Sequence, residues 1–200
     1  MKRIPFEYAV LAISVGVTFA VAAPARAQTL AATDSKRIEA SADKLARGKY
    51  LVTVAGCNDC HTPWVMGPKG PEPDMSRMLS GHPQDMQLPP PPAPQGPWIV
   101  SAAATNTAWS GPWGVSYTAN LTPDAETGLG KWTQRNFTET IRTGRHMGRG
   151  RQILPPMPIP MYKHFTDADL EAIFSFLQTI PAVKNRVPEP MQPWLPVAAK

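Results

Sequence analysis

The sequence predicts an all-α fold of about three main helices, with a long proline-rich loop insertion over 63–97. Three observations carry that reading. Apolar residues recur at helical spacing in three separated stretches, and capping residues stand at the ends of those stretches. Eleven of the 24 prolines crowd into the 35 residues from Pro63 to Pro97, where they exclude regular helix and central strand.

The chain opens with Lys2 and Arg3 in a short polar segment, then an uncharged stretch from Ala9 to Ala23, then the small-x-small triplet Ala25-Arg26-Ala27. That order predicts a signal peptide over 1–27, cleaved after Ala27. An apolar segment this short is marginal for a bilayer span, which needs roughly 20 residues. An uncleaved anchor is the competing reading. Cleavage leaves a mature chain of 173 residues over 28–200, one domain by length. The expected location is periplasmic, free or membrane-associated, with no stable membrane insertion after cleavage.

The first helix is expected over 35–55, with Ser35 or Ser41 as cap and Ile38, Leu45, Leu51 and Val52 on its apolar face. Gly56 stops it. The insertion that follows, with Pro89 to Pro92 at its heart, reads as an extended wrap over the domain rather than an interaction ligand. A second helix spans about 134–143, capped by Thr133, closed by Gly144, and carrying Phe137 and Ile141 on one face. The third begins with Thr166-Asp167-Ala168-Asp169, a capping box in its Asp variant. Leu170, Ile173, Phe174 and Leu177 form its core stripe, and Pro181 ends it. Residues 181–200 read as an extended tail.

Charge excludes little but removes one class. The whole chain is +5; Lys2, Arg3, Glu7 and Arg26 contribute +2, so the mature chain is +3. Arg142, Arg145, Arg149 and Arg151 form a basic cluster without interleaved aromatics, so no nucleic-acid partner is expected.

The specific signal is Cys57-Asn58-Asp59-Cys60-His61, which holds both cysteines of the chain. Two thiols at this spacing reach the two vinyl groups on one porphyrin edge, and the next residue places an imidazole under the iron. A thioredoxin-like pair needs a βαβ context. A structural zinc site needs a second ligand pair, and His82, His146 and His164 are scattered singly. A plain disulfide leaves His61 unexplained. One covalent haem c is therefore expected on Cys57, Cys60 and His61, and no second such motif exists.

A haem iron in a pure electron carrier takes a sixth ligand, and methionine is the usual partner of histidine. Met157, in Leu154-Pro155-Pro156-Met157-Pro158, sits in a loop that its prolines stiffen. Met161 and Met147 are the alternatives. The candidate iron ligands are thus His61 and Met157, and the candidate cofactor-binding set is Cys57, Cys60, His61 and Met157.

These stretches resemble class I c-type cytochromes, and within them the cytochrome c domains of bacterial membrane-bound dehydrogenases of alcohols and sugar acids. The similarity runs through Gly48-Lys49-Tyr50-Leu51-Val52 into Gly56 to Pro63, then Asn120-Leu121-Thr122-Pro123-Asp124 and Thr127 to Thr133. It ends in Pro155-Pro156-Met157-Pro158, Thr166 to Leu170, Pro181 and Asn185. The resemblance implies a cytochrome c fold, with His61 proximal and Met157 distal. It also implies that the first and last helices cross beside the haem motif at Gly48. A backbone carbonyl in a Gly-Pro turn would orient His61, with Gly67-Pro68 and Gly70-Pro71 both eligible. The implied role is electron transfer rather than catalysis. The partners would be a dehydrogenase donor and a cytochrome or oxidase acceptor. Two other classes compete: a haem enzyme or gas sensor with an open iron position, and a docking protein that binds a larger complex through its proline-rich segments.

Overall fold

A computed structural model describes residues 25–92 and 97–191, with side chains from Asp34 onward. In order, the elements are α1 (Ala25–Val54), α2 (Cys57–His61), β1 (Trp64–Gly67), β2 (Gly70–Pro73), β3 (Ser101–Ala102) and β4 (Ala108–Gly111). Then come β5 (Gly114–Tyr117), α3 (Gln134–Thr143), α4 (Ile159–Tyr162) and α5 (Asp167–Leu177).

The all-α expectation is overturned: the fold is mixed, with two antiparallel sheets beside the helices. One is the hairpin β1–β2, and the other has the order β3-β4-β5. The prolines do not forbid the first, because both strands of a two-stranded sheet are edges and a missing N–H can face away from the partner. Pro71 lies opposite Met66, and Pro73 opposite Trp64. Gly70, at φ 122°, supplies the backbone that closes this hairpin, and Gly114, at φ 95°, does the same between β4 and β5.

The chain divides into two compact units between Ile38 and Glu39. The described part of the first is helical and exposed, with an Arg37–Asp34 ion pair at 3.2 Å. Ile38, expected on a buried face, is 66% exposed. The expected leader lies outside the described residues except for Ala25-Arg26-Ala27, which open α1. Helix α1 therefore starts ten residues before Ser35, and neither Ser35 nor Ser41 caps it.

In the second unit, Leu51 and Val52 of α1 meet Phe137 and Ile141 of α3 and Leu170, Ile173, Phe174 and Leu177 of α5. The Phe137 and Phe174 rings stand 5.5 Å apart. Buried aliphatic side chains of this kind stabilise by roughly 1.5–3 kcal/mol each. Gly48 permits the α1–α5 contact, since a Cβ there would overlap the Ala172 carbonyl. Lys44–Glu171 (2.7 Å) and Arg47–Asp169 (3.0 Å) flank it.

Helix α3 has the expected bounds. Thr133 and Asn136 form a reciprocal capping box, and Gly144 closes the helix in the left-handed region. Helix α5 is capped by Thr166, whose hydroxyl accepts from the Asp169 N–H, while the Asp169 carboxylate turns to Arg47 instead of completing a box. The helix ends at Leu177, before Pro181 is reached.

Candidate haem site

Gly56, at φ 68°, turns the chain from α1 into α2. This single helical turn carries Cys57, Cys60 and His61. The cysteines are not bonded to each other. Burial pushes the Cys57 thiol up to about 11, and burial with the neighbouring Asp59 carboxylate raises Cys60. Redox-active Cys-x-x-Cys pairs have the opposite bias, so these thiols are not primed as thiolates. Among the described residues no cluster of three or more His, Cys, Asp or Glu side chains is placed to hold a metal ion.

His61 is buried, and its Nδ1–H donates to the Ala119 carbonyl at 2.8 Å. A carbonyl can only accept, so the ring proton is on Nδ1 and Nε2 carries a free lone pair. Burial also lowers the imidazole's pKa, which keeps that lone pair unprotonated. The expected Gly-Pro carbonyl is not the partner. Gly67-Pro68 and Gly70-Pro71 belong to the β1–β2 hairpin, with Pro68 and Pro71 exposed.

The His61 backbone is held as well: its carbonyl accepts from the Gly81 N–H at 2.8 Å. Thr62 Oγ1 donates to Asn58 Oδ1 and accepts the Leu79 N–H, both at 2.9 Å. The Asp59 carbonyl accepts from Trp64 Nε1 (2.9 Å) and Asn106 Nδ2 (2.7 Å). Behind this shell, buried Asn185 donates to the Ser80 and His82 carbonyls at 2.7 and 2.8 Å and accepts the Gln84 N–H. Asn120 donates to the Val183 carbonyl at 2.8 Å and accepts from Thr122.

Met157 lies on the loop before α4, half-buried and packed against the core cluster that Cys57 also touches. Met161 is 67% exposed. A groove of about 360 Å³ is lined by Met157, Ile153, Ile159, Pro155 and Arg145. Two hydroxyls tie this loop to its surroundings. Ser116 Oγ on β5 donates to the Pro155 carbonyl at 2.6 Å, and Tyr162 donates to the Ala55 carbonyl. Burial pushes the Tyr162 hydroxyl up to about 12, so it remains a donor. The basic cluster is partly spent on internal pairing: Arg142 with Asp167 (2.6 Å), Arg151 with Glu189 (3.4 Å), and Arg145 with the Gly150 carbonyl.

Haem fits these residues. One neutral imidazole presents a free lone pair, two unpaired thiols stand on the same turn, and a half-buried thioether sits on a separate stiff loop. Trp109 Nε1 is buried without a partner among the described residues. Trp109 lies opposite Ser116 in the β4–β5 register, beside the strand that holds Pro155.

The site resembles that of a c-type cytochrome domain, and the chain is similar to cytochrome c subunits of dehydrogenases. No family model matches the chain. Its relatives are components of dehydrogenases. A subunit of the nicotinate dehydrogenase of Pseudomonas putida is 28% identical over 84% of the chain, and the fructose dehydrogenase cytochrome subunit of Gluconobacter japonicus is 26% identical over 79%. The cytochrome c subunit of the alcohol dehydrogenase (quinone) of Gluconobacter oxydans is 26% identical over 72%. The matched region spans only 11%, 27% and 24% of these relatives' own lengths.

Sequence reasoning missed Ala119, Ser116 and Tyr162. Ala119 acts through its carbonyl, which every residue has. Ser116 and Tyr162 act across 39 and 107 residues of chain, respectively, with no local pattern to mark them.

Proposed function

We propose that this chain is an exported monohaem c-type cytochrome that passes single electrons from a dehydrogenase to a respiratory acceptor. The observation that carries the reading is the His61 Nδ1–Ala119 bond, which aims a neutral Nε2 from the same turn that presents Cys57 and Cys60. The likeness to dehydrogenase cytochrome subunits supports it and favours a dehydrogenase as donor. Residues 1–27 serve as the secretory leader in this account, and the periplasm is where the protein works. No helix among the described residues is long and apolar enough to cross a membrane.

When bound, haem supplies a one-electron Fe(III)/Fe(II) couple. Cys57 and Cys60 would tether it through thioethers. His61 would supply a nitrogen to the iron, and the Ala119 carbonyl fixes that ring's tautomer and plane. Met157 would supply a thioether sulfur, so no substrate would need to reach the metal. The apolar residues around the site exclude water and disfavour the extra positive charge of the oxidised form.

The test is covalent attachment. Matured in a host that assembles c-type cytochromes, the protein should keep its haem in denaturant and show one added haem by mass. Cys57→Ala with Cys60→Ala should release it. Native protein whose haem extracts freely would overturn the assignment.

A further inference from the structure

We propose that Tyr162 is a positioning residue for the distal ligand, its hydroxyl tying the methionine loop to the end of α1 from which the cysteine turn departs. The inference rests on Met157 being that ligand. Three local bonds make Tyr162 an extension of the Met157 backbone. Ile159 N–H donates to the Met157 carbonyl (2.8 Å), and the N–H groups of Met161 and Tyr162 donate to the Pro158 carbonyl (2.9 and 3.0 Å). Pro160 stiffens α4 between them.

At the far end of this rigid unit the half-buried Tyr162 ring packs against Phe165, with centroids 5.3 Å apart, and its hydroxyl donates to the Ala55 carbonyl. Ala55 stands where the carbonyl ladder of α1 runs out, two residues before Cys57. The path Met157–Tyr162–Ala55–Cys57 therefore joins the two ligating segments without passing through the metal. Such a tie lowers the freedom that Met157 gains on leaving the iron, and so opposes its replacement by a competing ligand.

The ferric holoprotein, titrated with imidazole and followed by absorbance, reads that competition. Tyr162→Phe removes the bond and keeps the ring, and should raise imidazole affinity about fivefold, the worth of one net hydrogen bond. Thr133→Ala, which strips the α3 cap far from the loop and lowers global stability, should leave the affinity at the native value. Met157→Ala should raise it far more than either. If Tyr162→Phe matches native protein while Met157→Ala binds tightly, the clamp is refuted and the ligand assignment stands. If Thr133→Ala rises as much as Tyr162→Phe, the effect is general loosening and the clamp is refuted. If Met157→Ala itself is unchanged, the ligand assignment fails and the clamp with it.

Discussion

His61 is held by the fold at both its ring and its backbone, whereas Met157 is held by the stiffness of its own short loop and two hydroxyl ties. The His61 cradle draws on residues from Asn58 to Asn185, with buried amides and hydroxyls saturating one another's partners. The Met157 loop has prolines on both sides and is tied by the Ser116 hydroxyl of β5 to its Pro155 carbonyl and by its own Tyr162 hydroxyl to Ala55. Damage on the first side should therefore appear as lost stability, and damage on the second as altered ligation in a folded protein.

The largest effect expected is at Asn185, which is 1% exposed. Asn185→Ala leaves the Ser80 and His82 carbonyls and the Gln84 N–H without their partner. At ~1–3 kcal/mol for a buried unsatisfied group, the variant should lose about 3 kcal/mol in denaturant unfolding. A loss under about 0.5 kcal/mol would show that the cradle is not the stabilising half.

Thr62→Val comes next. It orphans the Leu79 N–H and frees Asn58 Oδ1 while keeping shape, for about 1–2 kcal/mol. Met157→Ala sharpens the contrast from the other side. The half-buried side chain should take about 1–2 kcal/mol or less from stability, while the visible spectrum changes outright. A larger stability loss at Met157 than at Thr62, or an unchanged spectrum in Met157→Ala, would erase the distinction between the two sides.

The smallest effect concerns pH. Asp124 accepts from the Thr127 hydroxyl and from the N–H groups of Thr127 and Glu126, and the Thr127 hydroxyl bond chiefly lowers its pKa. A carboxyl depressed by folding adds stability above its unfolded pKa of about 3.9 and loses it as pH falls through the folded value. Thermal unfolding midpoints should therefore drop on acidification through that window, with a slightly flatter profile in Asp124→Asn. An unchanged profile would remove Asp124 from the acid response.

The same contrast explains what the sequence revealed. Helix α3 was legible to the residue because Thr133 and Gly144 punctuate it, and the α5 stripe because four apolar residues repeat at helical spacing. Cys57, Cys60 and His61 form a candidate set by adjacency, and prolines single out Met157 as a candidate over Met161, which is exposed. The strands were not legible. They run for only two to four residues, and Gly, Pro, Trp and Ser fill them without a buried-exposed alternation. The His61 cradle was invisible for another reason: its central acceptor is the Ala119 backbone carbonyl, which chain folding alone brings to the ring.

The central claim, a six-coordinate electron carrier ligated by His61 and Met157, is tested most directly by the far-red absorption band of methionine on ferric haem. The spectrum would be recorded for native protein, Met157→Ala and Met161→Ala. The band should be present in native protein and Met161→Ala and absent from Met157→Ala. Native protein that lacks the band and binds carbon monoxide readily once reduced would contradict the claim, because its iron would then have an open position.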